Sequence, residues 1–193
     1  MIRLAITLIL ALVVSACSVP TSQISEHDDG RYFLELPPDS LGRNLSMSQM
    51  VTGEYANKTY RVRYEVEIVG NRLTIVGLSP VGLTLFTLIQ IGDTVTIDNR
   101  LREMVTFNPR YTLFDFYLTY WPVDVLRQAL EKNKMMLEIN PRNKERRVHD
   151  AAGMTIATVS FPPEGKAAGK IIISHLDPPY RLSISSFGAP RDK

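Results

Sequence analysis

The residue types that most often carry out chemistry in proteins are scarce in this sequence of 193 residues. It has one cysteine, Cys17, and three histidines, His27, His149 and His175. Nucleophilic hydrolysis needs a serine or cysteine with a histidine and an acid to activate it, and no Gly-x-Ser-x-Gly motif is present. His149 and His175 each lie near the end of an expected strand, where a structural role is more common than the role of a catalytic base. The sequence therefore predicts a protein that is not an enzyme.

Metal, cofactor and nucleic-acid sites are also not predicted. His27 is followed by two aspartates, but this stretch is polar and rich in turn residues, so it holds no ligand geometry. The basic cluster over residues 142–147 is more typical of a solvated hairpin loop than of a site for anionic lipid heads. A formal net charge of +2 gives no strong electrostatic partner, and we expect no nucleic acid to bind.

Cys17 is the one residue whose neighbours predict a chemical modification. Arg3 precedes a mainly apolar run over residues 4–14, and Ser15 and Ala16 follow that run. Such a run is too short for a transmembrane helix, which needs about 20 residues, and is typical of a secretory signal. A cysteine directly after the small residues is typical of bacterial lipoproteins, in which the thiol becomes acylated. We predict cleavage after residue 16 and acylation of Cys17.

Acylation predicts a protein that is held on a membrane without spanning it. Each buried methylene contributes about 0.8 kcal/mol, and stable anchoring takes two chains. An aspartate directly after the acylated cysteine would favour retention in the inner membrane. Ser18 occupies this position here, which favours the periplasmic face of the outer membrane. The chain then divides into a signal peptide over residues 1–16, the acylated cysteine and a flexible tether over 17–30, and one domain over 31–193.

The strand signals begin at Leu45. Residues 62–68 alternate between apolar and polar types, Gly70-Asn71 forms a two-residue hairpin turn, and residues 72–78 return. This register buries one face of the hairpin. Its buried pairs are Ile68 with Leu73, Val66 with Ile75, and Tyr64 with Gly77. Residues 83–91 are apolar on both faces, which predicts that both faces are covered.

Two helices are predicted in the middle of the chain. Asn108-Pro109 supplies an N-cap and a first-turn proline for a helix over residues 110–121, and Pro122 starts a second helix over 123–132. Further strands are predicted over 135–139, 147–149, 154–161, 170–174 and 180–186. This order predicts a mainly β (α+β) fold, a curved antiparallel sheet whose helices cover the apolar concave face.

Several short stretches resemble the LolB-type outer-membrane lipoprotein receptors. These stretches are residues 77–84, 92–99, 121–128, 146–161 and 170–187. Residues 76–86 and 118–122 are similar, more closely, to an uncharacterised family of bacterial lipoproteins with a domain of unknown function. Some members of that family accompany aryl-polyene gene clusters.

The resemblance implies a half-open antiparallel barrel with helices at its mouth and an apolar cavity for acyl chains. In the receptors an exposed apolar residue lies in a membrane-facing loop, and Val81 occupies the matching position. The receptors also begin with a helix, which Pro37-Pro38 forbids here. We therefore do not predict that this chain is itself a lipoprotein receptor.

Two functions from different classes follow from these observations. The first is an outer-membrane lipoprotein that binds an acyl chain, lipid or lipoprotein-like apolar ligand and helps to transfer or localise it, with a periplasmic carrier protein as a possible partner. We predict that its cavity is lined by Val66, Ile68, Leu73, Ile75, Leu85, Phe116, Tyr117 and Trp121. The alternative is a non-catalytic structural or interaction lipoprotein with a filled core. A hydrolase that uses His149 and His175 is the least favoured reading.

Overall fold

Ten antiparallel strands form a single sheet in the structure, which is a computed structural model. It describes residues 34–55, 57–100, 108–163, 169–177 and 179–191. The predicted signal peptide, Cys17 and the tether lie outside the described residues. Residues Tyr32–Lys193 form one compact unit, to which the description below applies.

The strands follow a simple order in the sheet. Their bounds are β1 Leu45–Tyr55, β2 Lys58–Val69, β3 Arg72–Leu78, β4 Thr84–Ile91, β5 Thr94–Asn99, β6 Met136–Asn140, β7 Glu145–His149, β8 Thr155–Ser160, β9 Ile171–Leu176 and β10 Pro179–Arg191. The order across the sheet is β5-β4-β3-β2-β1-β10-β9-β8-β7-β6. Because β5 and β6 are the two edges, the sheet is not closed. The predicted fold class, an open antiparallel sheet with two helices, is confirmed.

The β2–β3 hairpin has the predicted register. Ile68 lies opposite Leu73, Val66 opposite Ile75, and Tyr64 opposite Gly77. The side chains of the first two pairs are at most 2% exposed. One face of this hairpin therefore forms part of the core, as the alternation predicts.

The prediction that β4 is covered on both faces is wrong. Phe86, Leu88 and Gln90 are buried on one face, whereas Ile91 on the other is 54% exposed. Leu85 and Ile89 are half-buried. The core lies on one face of the single sheet, and an antiparallel sheet of this kind leaves its other face to solvent.

The helix α1, Pro109–Tyr120, is buried on nearly every side. The Asn108 side chain caps its N-terminus and accepts a hydrogen bond from the backbone N–H of Arg110 at 3.0 Å. All residues from 112 to 120 are buried, which is typical of a helix that is apolar around its whole circumference. The second helix, α2 Val123–Lys132, has a single buried stripe through Leu126 and Leu130.

Arg146 on β7 binds the C-terminal end of α1. Its Nη1 donates hydrogen bonds to the carbonyl oxygens of Leu118 at 2.8 Å and Trp121 at 3.1 Å. The guanidinium also lies 5.3 Å from the ring centroid of Phe161. A cation at this end offsets the negative end of the helix dipole, although burial lowers the pKa of Arg146.

Gly77 on β3 has no room for a side chain. A Cβ at this position would lie 2.3 Å from Cε1 of Phe86, whose side chain is 1% exposed. We expect Gly77→Ala to lower the free energy of unfolding by about 2 kcal/mol, because the ring must leave its packed position. Chemical denaturation measures the change. In a Phe86→Leu background the same substitution should cost less than half as much, and equal costs in both backgrounds would contradict this explanation.

Candidate ligand site

Seven of the eight predicted cavity residues form packed core in the structure. The most exposed of these seven, Phe116, is 5% exposed, and Ile68, Leu73, Ile75, Tyr117 and Trp121 have no exposed area. Val66 is 2% exposed. Leu85 is half-buried and does line a cavity. Phe116 lines only a void of about 20 Å³, which is room for one water molecule.

The rings of α1 and of its C-cap residue Trp121 fill the space in which the ligand was predicted. Tyr117 and Trp121 pack edge to face with centroids 4.7 Å apart, and Phe116 and Trp121 do so at 5.9 Å. Such contacts add to the area that the rings bury. A ligand could reach the seven core residues only if α1 moved away from the sheet.

Hydrogen bonds hold α1 and its C-cap residue Trp121 against the sheet and against the short 3-10 helix Pro38–Leu41 that precedes β1. The Tyr117 hydroxyl donates to Oε1 of Gln90 at 2.6 Å, and the Trp121 indole N–H donates to Oγ of Ser40 at 2.8 Å. Gln49 on β1 also donates to the Tyr120 hydroxyl. Burial raises the pKa of the Tyr117 and Tyr120 hydroxyls, so both stay protonated.

Asp115, the only acid on α1, connects the helix to β9 and β10. Its Oδ1 lies 2.7 Å from Nε2 of His175, and the two side chains are 6% and 0% exposed. The Tyr180 hydroxyl donates to the same carboxylate, at 3.2 Å from Oδ1 and 3.1 Å from Oδ2. The rings of His175 and Tyr180 stack with centroids 4.2 Å apart. The two donors satisfy a carboxylate that would be costly to bury alone.

A cavity of about 230 Å³ lies at the N-terminal end of α1 and opens to solvent. We call it the mouth cavity. Five of the eight tyrosines in the sequence line it, namely Tyr55, Tyr60, Tyr64, Tyr111 and Tyr180. Its apolar lining is Val51, Val62, Pro80, Leu85, Phe86 and Leu182. Of its lining residues the sequence analysis predicted only Leu85, because the lining comes from β1, β2, β4, β10 and α1.

An exposed apolar loop borders the mouth cavity. In the loop between β3 and β4, Val81 is 81% exposed and Leu83 is 66% exposed. The loop is held by its own hydrogen bonds, since the N–H of Ser79 donates to the carbonyl of Leu83 at 2.8 Å and that of Gly82 donates to the carbonyl of Ser79 at 2.9 Å. Val81, predicted as the membrane-facing residue, is therefore displayed on an ordered turn.

The mouth cavity and this loop lie at the same end of the strands. β1 and β3 both end there, and β2 and β4 both begin there, because the four strands alternate in direction. Ser79 and Pro80 of the loop are also part of the cavity lining. An apolar ligand in the cavity would thus be next to the most exposed apolar side chains of the loop.

The two histidines of the domain have structural contacts. Nε2 of His149 lies 3.0 Å from Oε2 of Glu138, and Nδ1 lies 3.1 Å from Oγ1 of Thr155. His175 is bound to Asp115 in the core. Within the described ranges, no cluster of histidine, cysteine and acidic residues could hold a metal ion, and no helix is long and apolar enough to cross a bilayer.

Comparisons with known proteins identify a sequence family and a fold. A family model described as "Protein of unknown function (DUF3261)" matches residues 46–188. No curated protein matches the sequence. The fold is similar to that of a LolA superfamily protein from Nitrosomonas europaea, with 10% identity, coverage of 83% of this chain and 89% of that chain, and a TM-score of 0.50.

Two further solved structures are more distantly similar. One is a DUF1329 family protein from Desulfovibrio piger, with 8% identity, coverage of 88% and 94%, and a TM-score of 0.43. The other is a domain from Vibrio parahaemolyticus named for outer membrane lipoprotein sorting, with 9% identity, coverage of 79% and 86%, and a TM-score of 0.44. At such identities the similarity concerns the fold alone.

Proposed function

The chain belongs to the DUF3261 family of proteins of unknown function, and we propose that it binds an acyl chain or a similar apolar ligand in the mouth cavity and helps to transfer or localise it at the outer membrane. The observation that carries the proposal is the open, mainly apolar cavity beside the exposed loop of Val81 and Leu83.

The size of the mouth cavity limits the ligand to part of one chain. A water molecule occupies about 30 Å³ in the liquid, and a methylene group is of similar size, so 230 Å³ holds on the order of eight such groups. Burial of eight methylenes contributes about 6 kcal/mol before the costs of association. Such a ligand would bind weakly enough to be released.

The proposed location rests on the sequence. An acylated Cys17 would hold the domain on the membrane, and a tether over residues 17–30 would let the mouth cavity reach the membrane surface. The ligand would come from the membrane or from a periplasmic carrier protein, and no catalysis is involved. The association with aryl-polyene gene clusters stays a prediction.

The test of this proposal is to fill the mouth cavity. Val62 is half-buried and lines it, whereas Val69 on the same strand is 48% exposed and does not. In the mature chain with Cys17→Ser, we expect Val62→Trp to weaken the binding of a fluorescent fatty acid at least tenfold, because the indole occupies the site. Val69→Trp is the matched control and should bind as before.

The outcome also separates the proposal from the alternative. Two results together would contradict the binding function. Native mass spectrometry would find no lipid on the purified chain, and Val62→Trp would leave its binding of the fluorescent fatty acid unchanged.

The second candidate function is a structural or interaction lipoprotein with a filled core. The observation in its favour is the packing of the seven core residues, together with a cavity smaller than the roughly 300–1,000 Å³ of pockets for drug-sized ligands. Under this function the exposed loop would contact a protein partner. Substitution of Val81 and Leu83 by serine would then abolish capture of that partner. No variant, and not the unsubstituted chain either, would show measurable binding of a fatty acid.

A further inference from the structure

Tyr64 lies between the mouth cavity and the small void beneath α1 that Phe116 lines. Among the residues that the structure describes, Tyr64 and Leu182 line both spaces. Tyr64 belongs to the inward-facing set of β2, since it is buried whereas Arg63 beside it is exposed. Leu182 packs against the core from β10. The ring of Tyr64 is therefore at the place where the larger space ends and the smaller one begins.

Contacts with α1 and with β4 hold the ring of Tyr64 in this position. Its hydroxyl oxygen lies 3.2 Å from Oγ1 of Thr112, so the side chain extends from the sheet to the helix. The ring of Phe86 packs edge to face against it, with centroids 5.7 Å apart. Gly77 is the register partner of both aromatic residues, and its missing side chain leaves room for the Phe86 ring. A side chain packed in this way keeps its rotamer and acts as a wall.

The wall lies deep in the mouth cavity. Tyr60 is half-buried near the start of β2, and Tyr64 follows on the same face of the strand with 8% of its surface exposed. The distance between two such positions along a strand is about 13 Å. A chain that enters from solvent beside Tyr60 would therefore meet Tyr64 at its far end.

The void beyond the wall can take the end of an acyl chain without the loss of a hydrogen bond. Gln49 donates to the Tyr120 hydroxyl, and the Thr119 hydroxyl donates to the carbonyl oxygen of Asp115 at 2.8 Å. The Asp115 carboxylate is bound to His175. Because these polar groups bond one another, a methylene chain beside them would displace at most about one water molecule.

We propose that Tyr64 determines the length of the acyl chain that the mouth cavity accepts. This inference rests on the proposed function, because it assigns a chain length to the ligand of that cavity. A volume of about 230 Å³ holds on the order of eight methylenes, so the chain of decanoate fills the space up to Tyr64. Further methylenes would stay in water and add little to the affinity. The ligand class is thus a chain of about ten carbons.

The test is a series of fatty acids that compete with a fluorescent fatty acid for the mature chain with Cys17→Ser. Octanoate, decanoate and dodecanoate differ in steps of two methylenes. Each buried methylene tightens binding about fourfold, which corresponds to about 0.8 kcal/mol. We expect decanoate to bind about tenfold more tightly than octanoate, whereas dodecanoate should bind within about twofold of decanoate.

Loss of the Tyr64 ring should extend the cavity. In Tyr64→Ala we expect dodecanoate to bind about tenfold more tightly than decanoate, because the two spaces join. Tyr64→Phe keeps the ring and should keep the limit at decanoate. Tyr60→Ala is the matched control, since it removes the same ring near the opening. It should weaken the binding of all three acids by a similar factor and keep the limit at decanoate.

A second variant tests the inference if Tyr64→Ala does not fold. Leu182→Ala removes part of the lining that the two spaces share, and Leu182 is only half-buried. It should shift the limit in the same direction, with dodecanoate bound about fourfold more tightly than decanoate. Circular dichroism would establish that each variant is folded.

The outcomes separate this inference from the proposed function. If no fatty acid displaces the probe from the chain without a cavity substitution, the proposed function itself fails. If affinity in that chain still rises about tenfold from decanoate to dodecanoate, chain binding stands and Tyr64 is not the limit. If the limit stays at decanoate in every folded variant of Tyr64 and Leu182, chain binding again stands and the role of Tyr64 is wrong.

Discussion

Replacement of Asp115 by alanine is expected to lower the free energy of unfolding by about 3 kcal/mol. The carboxylate is the acceptor for both Nε2 of His175 and the Tyr180 hydroxyl, and it connects α1 with β9 and β10. Its removal leaves the buried Nε2 of His175 and the half-buried Tyr180 hydroxyl without their acceptor. Chemical denaturation of the purified domain would measure the loss.

A matched control lies on the other helix. Asp124 on α2 is an aspartate whose side chain is 89% exposed and pairs with Arg127 at 3.3 Å. We expect Asp124→Ala to change stability by no more than about 0.5 kcal/mol, because an exposed ion pair contributes little. Equal effects of the two substitutions would mean that the Asp115 contacts do not stabilise the domain.

Replacement of Cys17 by serine is expected to move the protein from the membrane fraction to the soluble periplasmic fraction. The thiol is the only one in the sequence, so no other cysteine could accept the acyl chains. Two or three chains hold a protein on a bilayer essentially permanently, and the exposed loop of Val81 and Leu83 alone buries far fewer methylenes. Fractionation followed by immunoblotting would measure the distribution.

The residue after the cysteine provides the control for this result. Ser18→Asp should keep the protein membrane-bound but move it from the outer to the inner membrane. A Cys17→Ser protein that stays in the outer membrane would contradict the lipid anchor. A soluble Cys17→Ser protein that retains full function in the cell would contradict transfer at the membrane, although it would leave ligand binding intact.

The structure changes the expected route of a ligand. The helix α1 and its C-cap residue Trp121 are held in place by contacts with Gln90, Ser40, His175 and Arg146. The mouth cavity is already open beside the N-terminus of this helix. A short chain can therefore enter and leave with α1 in place, and only a longer ligand that reaches Phe116 or Trp121 would require the helix to shift.

Local patterns in the sequence determined most of the fold. The Gly70-Asn71 turn and the alternation around it specify the register of β2 and β3, since a slip of one residue would turn the apolar face to water. Asn108-Pro109 and Pro122 mark the starts of two helices because they act on the nearest backbone groups. These features depend on neighbours within a few residues.

The position of the candidate site depended on the tertiary structure. The pairing of β1 with β10 joins residues such as Val51 and Ile184, which no local pattern connects. Apolar periodicity identified Val66, Tyr117 and Trp121 as inward-facing, but it could not distinguish a filled core from a lined cavity, because both need apolar side chains on the same face. Only the packing of α1 decided that these residues fill the core and that the cavity opens at the N-terminal end of this helix.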